Sequence, residues 1–309
     1  MSLPKFAYAL VVTSKNNLFI DSSFISMSAT KRLYPDAHIV LCVDDLTHDL
    51  LKIHGQHVLG LCSEVITIEH FGVTARERSR WVKVQMRTLI SGDYLYIDAD
   101  ALPINPFPEL FEHDKDFMAA IDINAMSPVL FAYFKEYCDK LGWKYNNDHY
   151  FNSGVHFLRD NERTQAFGKR WQEKWRQYIK VERSGYNADQ PAFNSSIFEA
   201  GLTYIVADQK FNVFLTKPEK ATSDQRILHF PQSILEVRFS SLLSNLIRIY
   251  RKTGQIDWSL VDKVREQDFP WLLPEWMVKL EYKYSIFRQR VIKQFRRLLP
   301  VRFRRFLVR

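Results

Sequence analysis

The sequence predicts an α/β fold in which helices pack on both faces of a central sheet. Three observations support this prediction. Apolar strands alternate with helical patterns through the first 100 residues, hydrophobic residues make up 46% of the 309-residue chain, and acidic residues follow several of the strands. This alternation favours a parallel sheet, and ligands then bind at the carboxyl ends of its strands.

The elements of the first half follow one another regularly. Residues 6–12 form a continuous apolar run with β-branched and aromatic residues, which predicts a buried first strand. The next predicted elements are a helix at 19–34, a strand at 38–45, a helix at 46–55, a strand at 64–69, a helix at 76–91 and a fourth strand at 94–98.

The second half has less regular spacing. The aromatic residues of 171–180 predict a packed helix face rather than a sugar platform. The predicted elements are strands at 117–124 and 154–160, a helix at 163–180, a short helix at 189–201, further strands within 203–213 and 226–231, and helices from 236 to 309 broken at Pro270, Pro274 and Pro300.

Charge and cysteine content limit the classes of function. The net charge is +8, but the segment from Lys283 to Arg309 holds ten Lys or Arg and no acid. Residues 1–282 therefore carry a net charge of −2. A near-neutral body argues against a nucleic-acid partner. Cys42, Cys62 and Cys138 lack metal spacing and the N-terminus lacks a signal-peptide pattern, which predicts reduced thiols in a cytoplasmic protein.

The stretch YLYIDADALPINP at 94–106 carries the clearest chemistry. Its apolar strand ends in Asp98 and Asp100, one residue apart. Two carboxylates so placed can converge on one hard cation such as Mn²⁺ or Mg²⁺, which commonly lies between carboxylates and phosphates. The structural alternative is that Asp98 begins a turn and Asp100 is solvated.

The longer segment YLYIDADALPINPFPELF resembles the Asp-x-Asp segment of GT-A glycosyltransferases, closest to family 8 and its glycogenin-like relatives. Three more segments fit that pattern in the same order: FNSGVHFLRD, NADQPAFN and ILHFP. The resemblance covers roughly residues 5–235. It implies a Rossmann-like nucleotide-diphospho-sugar transferase fold with a mixed sheet flanked by helices.

The resemblance also implies roles for individual residues. The metal ligands would be Asp98, Asp100 and His229. The donor-binding residues would be Thr13, Lys83, Asp98, Asn152 and Ser153, with Asp44 and Asp45 as weaker candidates. The catalytic residues would be Asp189, which holds sugar hydroxyls, and Gln190, which lies near the anomeric carbon.

Several of these residues have structural alternatives. Asn152 could be a turn residue, and Asp189 could cap a helix that begins at Pro191. His229 could be a packed histidine, and Lys83 could be a solvated helix residue.

One departure from the family pattern concerns the anomeric outcome. The family's late histidine is followed by a glycine and a lysine that touches the diphosphate, whereas here His229 is followed by Phe-Pro-Gln-Ser. Arg226, Lys217 or Lys220 could substitute for that lysine. Retention of anomeric configuration is expected from the family; if the enzyme inverts, Asp189 becomes a candidate base for the acceptor hydroxyl.

The C-terminal segment 283–309 predicts association with a membrane surface. On a helix to residue 299, Phe287, Val291, Phe295 and Leu298 form one apolar stripe with basic residues beside it. This composition suits a helix that lies in the interface of an anionic bilayer. The alternatives are a solvated basic terminus and a nucleic-acid tail.

We therefore expect a metal-dependent transferase that moves a sugar from a nucleoside-diphosphate donor, with UDP-sugar favoured, to a lipid-linked or cell-surface oligosaccharide such as lipopolysaccharide or capsule. It would work in the cytoplasm at the inner face of the membrane. The expected domains are catalytic 1–235, with a nucleotide-binding half at 1–100 and an acceptor half at 101–235, a helical extension at 236–282 and the tail at 283–309.

Two other classes of function remain as alternatives. A haloacid-dehalogenase-like phosphatase also places Asp-x-Asp after an apolar strand, although that strand is the first one in such enzymes. A non-catalytic membrane-surface adaptor is the other alternative, and the missing lysine is what favours it.

Overall fold

The computed structural model describes residues 3–182, 188–215, 218, 220, 224–231 and 241–298. The chain divides into two compact units. The first comprises Met1–Phe214 and Asp224–His229, and the second comprises Leu215–Ser223 and Phe230–Arg309. Every residue predicted above to bind metal or to act in catalysis belongs to the first unit. The predicted division at residues 100, 235 and 282 stays a prediction.

The beginning of the first unit has the predicted order of elements. Each predicted bound lies within two residues of the observed one, and a short extra helix follows α2. The elements are β1 (Lys5–Leu10), α1 (Leu18–Leu33), β2 (Ile39–Asp44), α2 (Asp45–His54), α3 (Gln56–Leu59), β3 (Glu64–Ile68), α4 (Ala75–Leu89) and β4 (Tyr94–Ile97).

The rest of the first unit contains two elements that were not predicted, β5 and α5. Strand β7 also begins three residues earlier than predicted, at Phe151. The elements are β5 (Ala101–Pro103), β6 (Phe117–Ile121), α5 (Pro128–Leu141), β7 (Phe151–Leu158), α6 (Glu162–Val181), α7 (Gln190–Glu199), β8 (Tyr204–Ala207), β9 (Val213–Phe214) and β10 (Ile227–His229).

The large sheet has seven strands in the order β3-β2-β1-β4-β7-β6-β8. The first four are parallel, whereas β7 runs antiparallel to both β4 and β6. The parallel strands predicted from the strand–helix alternation of the first half are therefore confirmed for β1 to β4, and the mixed sheet implied by the GT-A resemblance is confirmed because β7 departs from that direction. The physical reason is that α5 returns the chain to the sheet edge that β6 left, so β7 starts at that edge.

Alternating side chains of the strands build two cores on opposite faces of this sheet. Tyr8 and Leu95 belong to the core that includes residues of α1, whereas Ala7 and Tyr94 belong to the core that includes residues of α4 and α6. Trp171, Trp175 and Tyr178 of α6 are buried in the second core, so the prediction of a packed helix face is confirmed.

A second, three-stranded sheet has the order β5-β10-β9. Its central strand β10 pairs antiparallel with β5 and parallel with β9, and His229 lies opposite Ala101. This small sheet brings the late histidine to the segment that follows β4.

The described part of the second unit is helical. It contains α8 (Leu242–Thr253), α9 (Trp258–Arg265) and α10 (Glu275–Leu298), and α10 begins directly after Pro274, where a break was predicted. Pro300 and the rest of the predicted tail from residue 299 lie outside the described residues. None of the helices that could be searched combines the length and the apolar character required to span a bilayer.

Candidate active site

Polar residues from several strands meet at one edge of the large sheet. β4 and β6 end at this edge, and β7 begins there because it runs in the opposite direction. The backbone N–H of Asp98 donates to the carbonyl of Gly154 at 2.8 Å, which joins the end of β4 to β7. The predicted site residues on these two strands are thus neighbours.

Asp98, Asp100 and His229 form a group that we name the acidic cluster. Nε2 of His229 lies 3.4 Å from Oδ1 of Asp100 and 3.8 Å from Oδ2 of Asp98. One potential ligand atom from each residue lies within 4.8 Å of the other two. Burial lowers the pKa of His229, but the carboxylates of Asp100 and Asp98 outweigh burial and raise that pKa above its usual value.

The acidic cluster has the donor set that a hard divalent cation requires. Carboxylate oxygens and one imidazole nitrogen suit Mn²⁺, and the carboxylates also suit Mg²⁺. Gly154 leaves room for this arrangement, because a Cβ there would lie 2.7 Å from Oδ2 of Asp98 and would also overlap the His229 ring. The residues present therefore fit the metal that the sequence predicts.

A second group, which we name the ion-paired cluster, consists of Asp189, Lys83, Arg80 and Ser153. Asp189 Oδ1 lies 3.0 Å from Arg80 Nε, and its Oδ2 lies 3.6 Å from Lys83 Nζ and accepts from Ser153 Oγ at 2.9 Å. Burial raises the pKa of Asp189, but Lys83, Arg80 and the Ser153 hydrogen bond outweigh burial and lower that pKa to about 2.

Lys83 connects the two clusters. Its Nζ lies 3.2 Å from both Asp98 Oδ1 and Ser153 Oγ, and the residue is only 2% exposed. The alternative that Lys83 is a solvated helix residue is therefore wrong. Tyr96 donates its hydroxyl hydrogen to the same Asp98 oxygen, and burial raises the pKa of that phenol well above its usual value.

Asn152 and Gln190 share one acceptor at the end of β6. Oδ2 of Asp122 accepts from Nδ2 of Asn152 at 3.2 Å and from Nε2 of Gln190 at 2.8 Å. Asp189 precedes α7, but its side chain makes no capping hydrogen bond to that helix. Its carboxylate instead turns toward Lys83 and Arg80.

The predicted nucleoside residues lie farther along the same sheet edge. Thr13 is exposed in the loop after β1, the strand that neighbours β4. Asp44 is fully buried, caps α2 and pairs with Arg78, so its carboxylate is already engaged within the protein. Asp45 is half-exposed and pairs with His70.

Two of the three residues that could substitute for the missing lysine already have other partners. Arg226 donates to the carbonyl of Pro106 at 2.8 Å and pairs with Asp224. Lys220 pairs with Asp268 within the second unit. Lys217 lies outside the described residues.

Four residues at the site were not predicted as site residues: Arg80, Tyr96, Asp122 and Asn212. Arg80 lies three positions before Lys83 on α4, and this helical spacing is a signal that could have found it. Tyr96 lies two positions before Asp98 on a strand, which places both on one face. Asp122 lies within the predicted strand at 117–124 and directly follows the observed β6. Asn212 has no local signal at all.

Comparison with known proteins found one matching family. Residues 36–229 match the sequence profile of the family described as nucleotide-diphospho-sugar transferase. No curated protein sequence matches the chain significantly.

Solved structures share the fold at low sequence identity. The galactosyltransferase LgtC, solved with donor and acceptor sugar analogs, is 13% identical with a TM-score of 0.53, covering 83% of this chain and 99% of its own. Mouse xyloside xylosyltransferase 1 is 16% identical with a TM-score of 0.50, covering 74% and 98%. The glycosyltransferase GlyE of Streptococcus pneumoniae is 13% identical with a TM-score of 0.50, covering 86% and 65%.

Proposed function

Because the chain belongs to the nucleotide-diphospho-sugar transferase family and is a glycosyltransferase of GT-A type, we propose that its reaction depends on a divalent metal held by Asp98, Asp100 and His229. The convergence of these three side chains carries the proposal. Mn²⁺ is the favoured ion, with Mg²⁺ as the alternative. A bound ion would neutralise the diphosphate of the donor and stabilise its departure.

The charges of the two clusters favour this proposal. Asp98, Asp100 and Asp189 carry three negative charges against the two positive charges of Lys83 and Arg80, so the formal charge is −1 with His229 neutral. A divalent cation changes the sign to +1, which is the sign that attracts a diphosphate. UDP is the favoured nucleotide because of the family-8 resemblance.

The chain's own residues would hold the sugar beside that diphosphate. Asn152, Ser153 and Gln190 present amide and hydroxyl groups at the sheet edge, where their neighbours fix their positions. Such fixed polar groups orient a sugar ring for attack at its anomeric carbon. Thr13 would contribute to the nucleoside pocket.

Retention of anomeric configuration is the outcome that the geometry favours. A general base works best when its pKa lies near the working pH. Asp189 is 4% exposed, is paired with Lys83 and Arg80, and has its pKa lowered to about 2. It is therefore poorly suited to the role of base that an inverting reaction requires.

Proton NMR of the newly formed linkage tests the anomeric outcome. Retention predicts the same anomeric configuration in the product as in the donor. The opposite configuration would contradict retention and make Asp189 a candidate base despite its ion pairs.

The acceptor that we propose is a lipid-linked or cell-surface oligosaccharide of the lipopolysaccharide or capsule kind, reached at the inner face of a membrane. The exposed face of α10 supports this. Trp276, Leu280, Tyr284 and Phe287 recur at helical spacing and are each more than 60% exposed. Aromatic residues beside Lys and Arg suit the interface of an anionic bilayer.

Family membership removes one alternative. The haloacid-dehalogenase-like phosphatase is wrong, because the chain matches a transferase family over residues 36–229 and its Asp-x-Asp follows the fourth strand.

Thermal unfolding with a panel of nucleotide-sugars tests the metal proposal. We expect one donor to raise the melting temperature only when Mn²⁺ is present, since a ligand that binds the folded state stabilises it. Asp100→Asn should remove the Mn²⁺-dependent part. Asp114→Asn is the matched control, because that carboxylate is 83% exposed and lies outside both clusters.

Two outcomes of this experiment would contradict the proposal. An equal donor shift without metal would contradict metal dependence. The absence of a shift with every donor would favour the non-catalytic adaptor.

Sedimentation with vesicles that contain phosphatidylglycerol tests membrane association. Removal of 283–309 should reduce binding, since each basic residue near such a surface contributes ~1 kcal/mol. The pair Trp276→Ser and Leu280→Ser should also reduce binding, because it removes apolar side chains that would be buried in the interface. Ile53→Ser is the control, because Ile53 is 73% exposed on α2. Unchanged binding of the truncated protein would overturn this part of the proposal.

A further inference from the structure

A row of amide groups runs from β7 to the ring of His229. Asn152 Oδ1 accepts from the backbone N–H of Gly154 at 2.8 Å, and Asn212 Nδ2 donates to the same oxygen at 3.0 Å. Asn212 Oδ1 lies 2.9 Å from Nδ1 of His229. Asn212 and His229 are 2% and 4% exposed, so these bonds are closed off from water.

The backbone N–H at one end fixes the polarity of the whole row. A backbone N–H can only donate, so the Asn152 atom that faces it must be the carbonyl oxygen. The Asn212 atom that faces this oxygen must then be the amide nitrogen. The other end of the Asn212 amide is therefore its oxygen, and it faces His229.

The polarity at Asn212 decides which nitrogen of His229 carries a hydrogen. An amide oxygen only accepts, so Nδ1 of His229 must donate to it. In the neutral ring, Nε2 then has a lone pair, and Nε2 is the atom that faces Asp98 and Asp100. That lone pair is what a metal ligand needs.

The row of amides disfavours the His229 tautomer that the neighbouring Asp100 carboxylate would otherwise stabilise. Without Asn212, a hydrogen on Nε2 could bond to the Asp100 carboxylate 3.4 Å away, and that tautomer cannot ligate a metal through Nε2. Asp122 steadies the row from the side, because its Oδ2 accepts from Nδ2 of Asn152 at 3.2 Å.

We propose that Asn212 is a positioning residue that holds His229 in the Nδ1–H tautomer and so prepares its Nε2 to bind the divalent metal. Outer residues that orient a metal-ligating histidine commonly change metal affinity 10–100-fold when they are replaced. The inference rests on the proposed metal site, and its test separates the two.

The first test uses the protein without metal. Side-chain ¹⁵N NMR of His229, at a pH high enough for the ring to have lost its extra proton, should show hydrogen on Nδ1 in the wild type. In Asn212→Leu the hydrogen should move to Nε2. A wild-type ring with hydrogen on Nε2, or an unchanged tautomer in Asn212→Leu, would overturn the proposal whether or not the site binds metal.

The second test measures Mn²⁺ affinity by calorimetry. We expect Asn212→Leu to bind Mn²⁺ about 10- to 100-fold more weakly than the wild type. Asn212→Asp should stay within about threefold, because its carboxylate still accepts from Nδ1. Equal affinity in folded Asn212→Leu would contradict the proposal, whereas a wild type that binds no Mn²⁺ would contradict the proposed metal site instead.

The control is Asn245→Leu. Asn245 is a buried asparagine of α8, 6% exposed, and belongs to the second unit. Its loss should change neither the His229 spectrum nor the Mn²⁺ affinity. An effect equal to that of Asn212→Leu would show that loss of any buried amide is sufficient, and would overturn the proposal.

Discussion

The acidic cluster and the ion-paired cluster lie at the same sheet edge and share Lys83, yet their charges are balanced differently. In the acidic cluster two carboxylates meet one imidazole, and Lys83 touches only Asp98. In the ion-paired cluster one carboxylate, Asp189, meets two cations and a hydroxyl. The first has an excess of negative charge, and the second has an excess of positive charge.

This difference shows that a carboxylate at a strand or helix end does not by itself identify a metal ligand. Asp189 is as buried as a ligand would be, but its cations already satisfy it. Asp100 lies beside a histidine nitrogen and lacks a comparable lysine or arginine among the described ion pairs. The number of cations within reach distinguishes the two kinds of carboxylate.

The largest expected effect comes from Asp189→Asn, which removes the carboxylate of the ion-paired cluster and leaves the acidic cluster with its ligands. Lys83 and Arg80 lose their shared partner, and breaking a buried pair costs about 3 kcal/mol or more. Urea unfolding at neutral pH measures this loss. Asp49→Asn, at an exposed pair with Lys52, should change stability by no more than about 0.5 kcal/mol.

Gly154→Ala should break the acidic cluster while leaving the ion pairs in place. The new methyl would overlap Asp98 Oδ2 and the His229 ring, so the ligands must separate. We expect Mn²⁺ affinity to fall about 100-fold or more, equivalent to about 2.7 kcal/mol. Calorimetry with Mn²⁺ measures this.

Gly142→Ala is the matched control for that substitution. Gly142, unlike Gly154, has a positive φ of 67°, and a Cβ there meets no atom within 4 Å. The control should cost about 1 kcal/mol of stability and leave Mn²⁺ affinity unchanged. Equal Mn²⁺ affinities of the two variants would show that Gly154 does not shape the site.

Acid should weaken the ion-paired cluster in a defined pH window. The pKa of Asp189 is lowered from 3.8 to about 2 in the folded protein, so its stabilisation is complete above about pH 4 and is lost as the pH falls toward 2. The full loss is about 2 kcal/mol, and about half is expected by pH 3.

Urea unfolding of the wild type and Asp189→Asn at pH 5 and pH 3 measures that loss. The stability difference between the two proteins should narrow by about 1 kcal/mol at the lower pH. A difference that stays constant would mean that Asp189 is not held ionised by its cations.

The smallest expected effect comes from Ser153→Ala, which tests whether the two clusters act independently. The Ser153 hydroxyl bridges Lys83 and Asp189 but makes no described contact with Asp100 or His229. Its loss should cost about 1 kcal/mol of stability and leave Mn²⁺ affinity within about twofold of the wild type. A large drop in Mn²⁺ affinity would show that the clusters act as one unit.

Much of the fold could be predicted because its strands are apolar runs and its helices have clear starts. Helix α4, for example, begins with a capping box of Thr74 and Glu77. Strand β7 was predicted to start late because Asn152 and Ser153 are polar, and only hydrogen bonds to residues distant in sequence make them acceptable inside a sheet. Helix α5 was missed although Phe131, Phe134 and Cys138 have helical spacing.

The site was predictable where a motif concentrates the chemistry in one segment, as it does at Asp98 and Asp100. The direction of β7 was not predictable from local pattern, because pairing between distant strands is decided by the tertiary structure. Asn212 is the clearest case. It is one asparagine in a short connection, and the role proposed for it depends entirely on its bonds to Asn152 and His229.

Successive side chains of β7 point to opposite faces, so the length of this strand matters as much as its composition. Asn152 and Gly154 serve the acidic cluster, while Ser153 between them serves the ion-paired cluster. Deleting or inserting one residue here would move every following side chain to the opposite face. In a library of variants, we therefore expect insertions and deletions to be tolerated at the exposed end of α5 near Gly142 and not within 151–158.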